Sequence, residues 1–255
     1  MERAISHDLV LCRIDGPIAR LTLNDPDRAN VLSTAMMAAL AAALDEAAAE
    51  ARVRVIVLAA AGKVFCAGHD LGELRATEDP AAHQALFDRC SALMMAIAAA
   101  RAPVIARVQG AAVAAGCQLV ASCDMAFAAD TARFAVSGID LGLFCSTPGV
   151  AVGRAIGRKA ATEMLLTGRF IAANEAVALG LINRAVPAAE LDAAIEETAA
   201  LIAAKPPDAI ALGKAAFRRQ MEAPLAEAYA IAGRAMTENM GFQSARAGID
   251  RFLKR

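Results

Sequence analysis

Small residues dominate two stretches of the chain, VFCAGHDL at 64–71 and VQGAAVAAGCQL at 108–119. In each, a short apolar strand is expected to run into glycine and alanine, which let a ligand or another backbone approach closely. The second stretch also opens a helix, whose first N–H groups have no partner inside the helix. Two such N–H groups pointing at one place would form an oxyanion hole, in which each donor is typically worth roughly 3–4 kcal/mol of transition-state stabilisation. The spacing also fits simple close packing of a helix on a sheet, and it leaves the polar Gln118 of the second stretch unexplained.

Strand, loop and helix patterns alternate through the first two thirds of the chain, and a mostly helical part follows. This order predicts an α/β fold with a helical tail. Ser33 is expected to cap a long helix, and the turn Asp15-Gly16-Pro17 to connect a hairpin. We predict strands over 9–14, 18–23, 53–58, 103–108, 125–128, 133–136 and 181–185, and helices over 34–51, 80–100, 115–122, 149–155, 158–166, 173–179, 188–204, 206–220, 224–239 and 241–253.

Composition limits the partners of this chain. Its 255 residues carry a formal net charge of −1, which gives no reason to expect nucleic acid or an anionic membrane as partner. The apolar runs are too short to span a bilayer, and the first residues show no targeting pattern, so we expect no membrane association and a cytoplasmic location. Six scattered cysteines indicate buried free thiols in a reducing compartment, and three dispersed histidines predict no metal site.

Five segments of the chain resemble the crotonase (enoyl-CoA hydratase/isomerase) superfamily. They are NDPDRANVLS at 24–33, VIVLAAAGKVFCAGHDL at 55–71, PVIARVQGAAVAAGCQLVASCDMAFAADTARF at 103–134, GRKAATEMLLTGRFIAANEAVALGLINRAVP at 157–187 and GIDRFLKR at 248–255. Within the superfamily, GLFCSTPGVAVGRAIGRKA at 142–160 most resembles the enoyl-CoA hydratase domain-containing 3 subgroup.

The resemblance implies an α/β fold of repeated ββα units wound as a spiral. Residues 1–195 would form the acyl-CoA-binding core, and residues 196–255 a helical region that builds homotrimers or dimers of trimers. The substrate would be an acyl thioester of coenzyme A, with coenzyme A as part of the substrate and no permanently bound cofactor.

The resemblance also assigns binding roles to residues. The thioester oxygen would be held by the backbone N–H groups of His69 and Ala115. The His69 side chain could act as a base, or only its backbone could matter. Asp70 would stabilise its loop locally rather than take part in the chemistry. Coenzyme A would lie along two segments represented by Asp27, Arg28, Val31, Ala67, Gly68, Asp70 and Leu71. Phe252 and Arg255 would reach the coenzyme A of a neighbouring subunit.

Three positions that carry acids in this superfamily hold other residues here. The two glutamates of hydratases correspond to Gln118 and Gly138, and the aspartate of other branches corresponds to Ser146. An amide has no pKa near 7 and cannot accept a proton as a base, so hydration by two glutamates is doubtful.

Other residues near these positions have alternative interpretations. Asp140 could be a base or a structural partner of a backbone N–H, and Cys145 a nucleophile or a packed thiol. Ser146 could orient water, or it could start a helix that Ser or Thr caps.

The first functional hypothesis is an enzyme, nominally an enoyl-CoA hydratase or isomerase, that polarises the thioester carbonyl and stabilises an enolate-like state. The second is a non-catalytic acyl-CoA-binding or regulatory protein that kept the scaffold without the acids. RNA binding, known in one branch of the superfamily, is disfavoured because the chain has no stripe of Lys and Arg.

Overall fold

The computed structural model describes residues 3–254, and for residues 3–7 it describes the backbone alone. Strands and helices alternate up to β11, and helices follow. The strands are β1 (Arg3–His7), β2 (Val10–Asp15), β3 (Ile18–Leu23), β4 (Val55–Ala60), β5 (Val64–Cys66), β6 (Val104–Val108), β7 (Ala111–Val113), β8 (Met125–Ala129), β9 (Arg133–Ala135), β10 (Ile171–Ala172) and β11 (Arg184–Val186). The helices are α1 (Thr34–Ala49), α2 (Leu71–Arg75), α3 (Pro80–Ala99), α4 (Ala115–Ser122), α5 (Ser146–Ala155), α6 (Arg158–Thr167), α7 (Ala173–Leu179), α8 (Leu191–Ala203), α9 (Pro207–Met221), α10 (Leu225–Met240) and α11 (Gln243–Leu253).

The strands form two sheets. The larger sheet has the order β1-β2-β3-β4-β6-β8-β11, and the smaller one β10-β9-β7-β5. From β3 onward the larger sheet is parallel, and the pairs β5–β7 and β7–β9 are parallel too. Each unit β4-β5, β6-β7 and β8-β9 puts its first strand in the larger sheet and its second in the smaller one, and a helix follows. The expected α/β fold of repeated ββα units is therefore present.

Two of these second strands were not predicted. The sequence was expected to form a loop over 59–74, but β5 and the short helix α2 lie within it, and β7 follows β6 after two residues. Strands of three residues are too short for a hydrophobic period to be visible. They form because each pairs with a neighbour that is distant in the sequence.

The core covers both faces of the larger sheet. On one face, α1, α3 and α4 bury apolar side chains in a single large cluster. On the other face, Val55, Val57 and Ile105 pack against α8. A division at residue 195 would cut α8, whose buried residues on both sides of that point, Leu191 and Ala199, belong to the same cluster.

The helices α9 to α11 form an arm beyond α8. Helices α9 and α10 pack on each other, and Lys214 of α9 ties the arm to the core. Its Nζ lies 2.6 Å from Asp124 Oδ2 and donates to the Ala100 carbonyl at 2.7 Å. No helix within residues 3–254 combines the length and the apolar character needed to cross a bilayer.

Candidate active site

The pairing of β5 with β7 brings the two stretches of small residues together. Gly68 packs against the start of α4: a Cβ on it would lie 3.0 Å from the Val113 carbonyl oxygen and 3.4 Å from the Ala115 nitrogen. Gly116 is closer still, because a Cβ there would lie 2.2 Å from the Cys66 carbonyl oxygen. Gly116 must be glycine because a Cβ there would overlap the Cys66 carbonyl, and glycine suits position 68 because φ is 96° there, a value that other residues rarely adopt.

Two backbone N–H groups at this junction have no acceptor among residues 3–254. Leu32 donates its N–H to the Gly68 carbonyl at 2.8 Å, and this pairing leaves the neighbouring His69 N–H unused. Ala115 is the first residue of α4, so its N–H has no partner inside the helix. The two stretches therefore place two unpaired donors next to each other.

The residue before α4 has an unusual backbone conformation. Ala114 has φ 49° and ψ −116°, in a region that residues other than glycine rarely adopt. Its own N–H donates to the Ala135 carbonyl at 2.8 Å, which fixes the chain as it enters the helix. Strain of this kind persists when the surrounding structure imposes it. No sequence pattern indicated it, because alanine carries no signal for a positive φ.

Asn30 holds the segment 25–32 in place, a role that was not predicted from the sequence. It is fully buried at φ 53°, a conformation that asparagine tolerates better than most residues. Its side chain accepts from the Asp25 N–H at 2.9 Å and donates to the Ala61 and Val64 carbonyls at 2.9 and 2.8 Å. Segment 25–32 is thereby attached to both ends of the turn between β4 and β5.

Replacing Asn30 by alanine should destabilise the protein by about 3 kcal/mol, because three part-buried backbone groups lose a hydrogen bond and alanine tolerates the positive φ less well than asparagine. The matched control is Asn24→Ala, which removes a single side-chain bond outside this turn and should cost under about 1 kcal/mol. Urea unfolding of both variants measures the difference. Equal midpoints for the two would show that Asn30 does not carry this segment.

Asp70 and Arg28 join the two segments assigned to coenzyme A. Asp70 caps α2 by accepting from the Gly72 N–H at 2.9 Å, and Arg28 forms an ion pair with its other oxygen. Burial opposes ionisation of Asp70, but hydrogen bonds from Arg28 and from the backbone outweigh it and lower the pKa of its carboxyl. Asp70 is therefore placed as a local stabiliser.

Of the remaining positions assigned to coenzyme A, some lie on the segments 27–31 and 67–71, and Phe252 lies on α11. Ala67 donates its N–H to the Ala29 carbonyl at 3.0 Å, so its segment runs beside the one that holds Asp27 and Val31, and Leu71 opens α2. Phe252 lies near the end of α11 with 76% of its surface exposed, on the arm rather than at the junction. Arg255 lies outside the described residues.

The His69 side chain is turned toward α3. Its ring meets Phe87 edge-on, with the centroids 5.6 Å apart, and both ring nitrogens are buried. Burial lowers the pKa of the imidazole, so the ring is neutral at pH 7.

Gln118 lies on the first turn of α4 and is 4% exposed. Its Oε1 is buried and has no hydrogen-bond partner within the described chain. Helical side chains lean toward the N-terminus of their helix, so the amide of Gln118 covers the turn that starts at Ala115. Gln118 is thus a buried polar residue one turn after Ala115, the residue whose N–H opens this helix.

Gly138 stands where a side chain has no room. A Cβ on it would lie 2.5 Å from the Leu143 carbonyl oxygen and 2.7 Å from Cys145 Sγ. The Gly138 N–H donates to this sulfur at 3.2 Å, and its carbonyl accepts from the Leu143 N–H at 2.9 Å. Burial raises the pKa of the Cys145 thiol, which makes it a packed thiol rather than a nucleophile.

Asp140 and Ser146 lie between β9 and the first turn of α5. Asp140 is exposed, and its carboxylate packs against Gly168, where a Cβ would lie 2.9 Å from Oδ2. Ser146 is exposed and is itself the first residue of α5. The predicted cap by Ser or Thr is wrong, because Cys145 occupies the N-cap and no side chain caps this helix. Among residues 3–254 we find no group of three His, Cys, Asp or Glu side chains that could hold a metal ion.

Comparison with known proteins gives a consistent result. Residues 13–255 match the family described as enoyl-CoA hydratase/isomerase. The mouse enoyl-CoA hydratase domain-containing protein 3, mitochondrial, is 43% identical over 238 residues, or 93% of this chain and 79% of the mouse protein. The crystal structure of an enoyl-CoA hydratase from Mycobacterium smegmatis is 53% identical with a TM-score of 0.95, covering 97% of both chains. That of human enoyl-CoA hydratase domain-containing protein 3 is 43% identical with a TM-score of 0.93, covering 96% of this chain and 97% of the other.

The names of two relatives correct the predicted location. The mouse protein and its human counterpart are both named as mitochondrial, which contradicts the cytoplasmic location expected from the sequence. That expectation depended on the lack of a targeting pattern in the first residues, which is a weak indicator of compartment.

The resemblance seen in the sequence is confirmed at the level of both the family and the subgroup. The fold is confirmed by solved enoyl-CoA hydratases that share it over nearly the whole chain. The chain belongs to the enoyl-CoA hydratase/isomerase family, the crotonase superfamily.

Proposed function

We propose that this protein binds acyl-CoA thioesters and polarises the thioester carbonyl through the N–H groups of His69 and Ala115. The observation that carries the proposal is the pair of unpaired donors held together by Gly68. A carbonyl oxygen between two fixed N–H groups is stabilised as it gains negative charge, and the donors need no reorganisation. The state favoured in this way is enolate-like, as an enzyme acting on thioesters requires.

Coenzyme A enters this proposal as part of the substrate, with no permanently bound cofactor. The segments 27–31 and 67–71 lie side by side, and the second contains the His69 donor, which supports the two segments as the nucleotide-binding wall. Two relatives whose folds match are named for enoyl-CoA hydratase activity or domains, which supports the same substrate class.

Hydration of an enoyl-CoA by two acids is not the reaction that this site supports. Gln118 has no carboxyl, and Gly138 is enclosed by Leu143 and Cys145. Asp140 packs elsewhere, against Gly168. These observations favour, as a second candidate, an acyl-CoA-binding or regulatory protein without turnover.

Binding and turnover of crotonyl-CoA by the purified protein distinguish the enzyme from the acyl-CoA-binding protein without turnover. We expect calorimetry to detect binding, and we expect the absorbance of the enoyl thioester to fall at least about a hundredfold more slowly than with a two-glutamate hydratase. Turnover of another acyl-CoA would favour the enzyme, and binding with no turnover of any thioester would favour the second candidate. No binding of any acyl-CoA would refute both.

Assembly into trimers or dimers of trimers is part of the proposal. Large apolar side chains of the arm are exposed in the single chain: Phe217, Met221, Leu225, Tyr229, Met236 and Met240. Exposed apolar surface on this scale is typical of a contact between subunits. Light scattering after size exclusion measures the assembly, and a monomer at micromolar concentration would contradict it.

A further inference from the structure

The carboxylate of Glu73 reaches back from α2 to the first residue of α1. Its Oε2 accepts from the Thr34 N–H at 2.8 Å and from the Thr34 hydroxyl at 2.9 Å. Both bonds are part-buried and join positions 39 residues apart in the sequence. Hydrogen bonds to a carboxylate are stronger than those between neutral groups, and negative charge is favourable at a helix N-terminus. Glu73 therefore fastens the short helix α2 to the long helix α1.

Helix α1 has a cap of its own, so its formation does not explain Glu73. The Ser33 hydroxyl accepts from the Met36 N–H at 3.1 Å, and this local bond starts the helix. Six residues of α1 are buried, which holds the helix in the core. What Glu73 adds is a link between this fixed helix and the segment that carries the His69 donor.

The His69 N–H lies between two attachments to one short stretch of the chain. Before it, the Gly68 carbonyl accepts from the Leu32 N–H at 2.8 Å, and after it Glu73 accepts from Thr34. Burial lowers the pKa of the His69 imidazole and the negative charge of Glu73 opposes this, so Glu73 is close enough to act on His69. The position of this donor is thus determined from both sides.

The other attachment after the donor, the ion pair of Asp70 with Arg28, is less able to fix it. The Arg28 side chain is 55% exposed, and exposed ion pairs contribute little and weaken with salt. The bonds of Glu73 are part-buried, and one of them ends on a backbone N–H that cannot move without α1. Glu73 is therefore the residue on which the placement of the loop depends.

We propose that Glu73 is a positioning residue, which by holding Thr34 keeps the His69 N–H directed at the thioester oxygen. This inference rests on the proposed function, in which His69 supplies one of two donors to an acyl-CoA thioester. An oxyanion donor is effective because it is already in place when charge develops, so a small displacement of the loop weakens polarisation. Glu73 touches no substrate in this proposal and acts through the backbone of its loop.

Infrared spectroscopy of bound crotonyl-CoA, labelled at the carbonyl, measures the effect of the donors on the substrate. In the unmodified protein the carbonyl stretch should move to lower frequency on binding. In Glu73→Ala about half of this shift should be lost, because the His69 donor is displaced and the Ala115 donor remains. Glu73→Gln keeps an oxygen that can accept from Thr34, so it should keep most of the shift.

Thr34→Pro removes the same two bonds from the other partner. Proline has neither the N–H nor the hydroxyl and suits the first position of a helix, and the preceding Ser33 is already extended, with φ −68° and ψ 164°. This variant should lose the same part of the shift, and the double variant with Glu73→Ala should lose no more. The matched control is Ser33→Ala, which removes the cap of the same helix. It should lower the urea midpoint but leave the shift unchanged.

The outcomes separate this inference from the function on which it rests. If the unmodified protein binds no crotonyl-CoA, or binds it without a shift, the proposed function fails. If the shift is present and either Glu73→Ala or Thr34→Pro keeps it in full as a folded protein, the function stands and the inference is overturned. An equal loss of shift in Ser33→Ala would also overturn it, because destabilising α1 would then be sufficient. Should neither variant fold, Thr34→Val loses the hydroxyl alone and must lose part of the shift, and a full shift there would overturn the inference as well.

Discussion

An Ala115→Pro protein should still fold and bind acyl-CoA weakly, but it should lose polarisation of the thioester carbonyl. Any turnover of a thioester should fall by roughly 10²–10³-fold, the cost of removing one oxyanion donor. Proline has no N–H and suits the first position of a helix, but it disfavours the φ of 49° and ψ of −116° of the preceding Ala114, so some stability should be lost. Since the Ala115 N–H has no partner among the described residues, the substitution removes no hydrogen bond of the fold.

Infrared spectroscopy of bound, carbonyl-labelled crotonyl-CoA measures the effect even in the absence of turnover. In the unmodified protein the carbonyl stretch should move to lower frequency, because two N–H groups draw charge onto the oxygen. In Ala115→Pro most of this shift should disappear, whereas Ala115→Gly keeps the N–H and should keep the shift. A folded Ala115→Pro protein with the full shift would show that the donor lies elsewhere; circular dichroism establishes folding.

The parts of this fold that could be predicted are those determined by residues close together in the sequence. Strand β4 is an unbroken run of buried apolar residues, VIVLAA, and was expected over nearly the same range. Ser33 accepts from the Met36 N–H at 3.1 Å and caps α1 as predicted. The junction itself was also indicated, because glycine and alanine at 67–68 and 114–116 leave room for close approach.

The parts that were not predictable depend on contacts between distant segments. Asn30 pairs with carbonyls 31 and 34 positions away, which no neighbouring residue reveals. The positive φ of Ala114 is imposed by packing on Gly68 and by the bond to Ala135. Likewise, sequence alone locates Gly138 at an acid position but does not reveal that Leu143 and Cys145 enclose it.

By the resemblance to the superfamily, Gln118 and Gly138 occupy the positions of the two hydratase glutamates. Because Gly138 is enclosed, we expect a glutamate to increase the hydration rate at position 118 but not at position 138. Gln118→Glu changes an amide to a carboxyl of the same size on the helical turn that begins with the Ala115 donor. Burial raises the pKa of a carboxyl toward neutrality, which suits a group that exchanges a proton with substrate. We expect hydration of crotonyl-CoA to rise by about 10²-fold over the unmodified protein, the lower end of what one general acid–base group contributes.

Gly138→Glu should add nothing, alone or with Gln118→Glu, because its Cβ would lie 2.5 Å from the Leu143 carbonyl oxygen and 2.7 Å from Cys145 Sγ. Relief of this overlap requires the turn 138–145 to open, so we expect a loss of stability of about 2 kcal/mol or more in urea unfolding.

The test measures the hydration rate of crotonyl-CoA by the two single variants and by the double variant. Gln118→Met is the control that introduces no acid. If Gly138→Glu alone restored hydration, the enclosure would not be what separates this site from a two-acid hydratase. If Gln118→Glu bound crotonyl-CoA normally without any gain in rate, the Gln118 amide would not lie where a proton must be transferred.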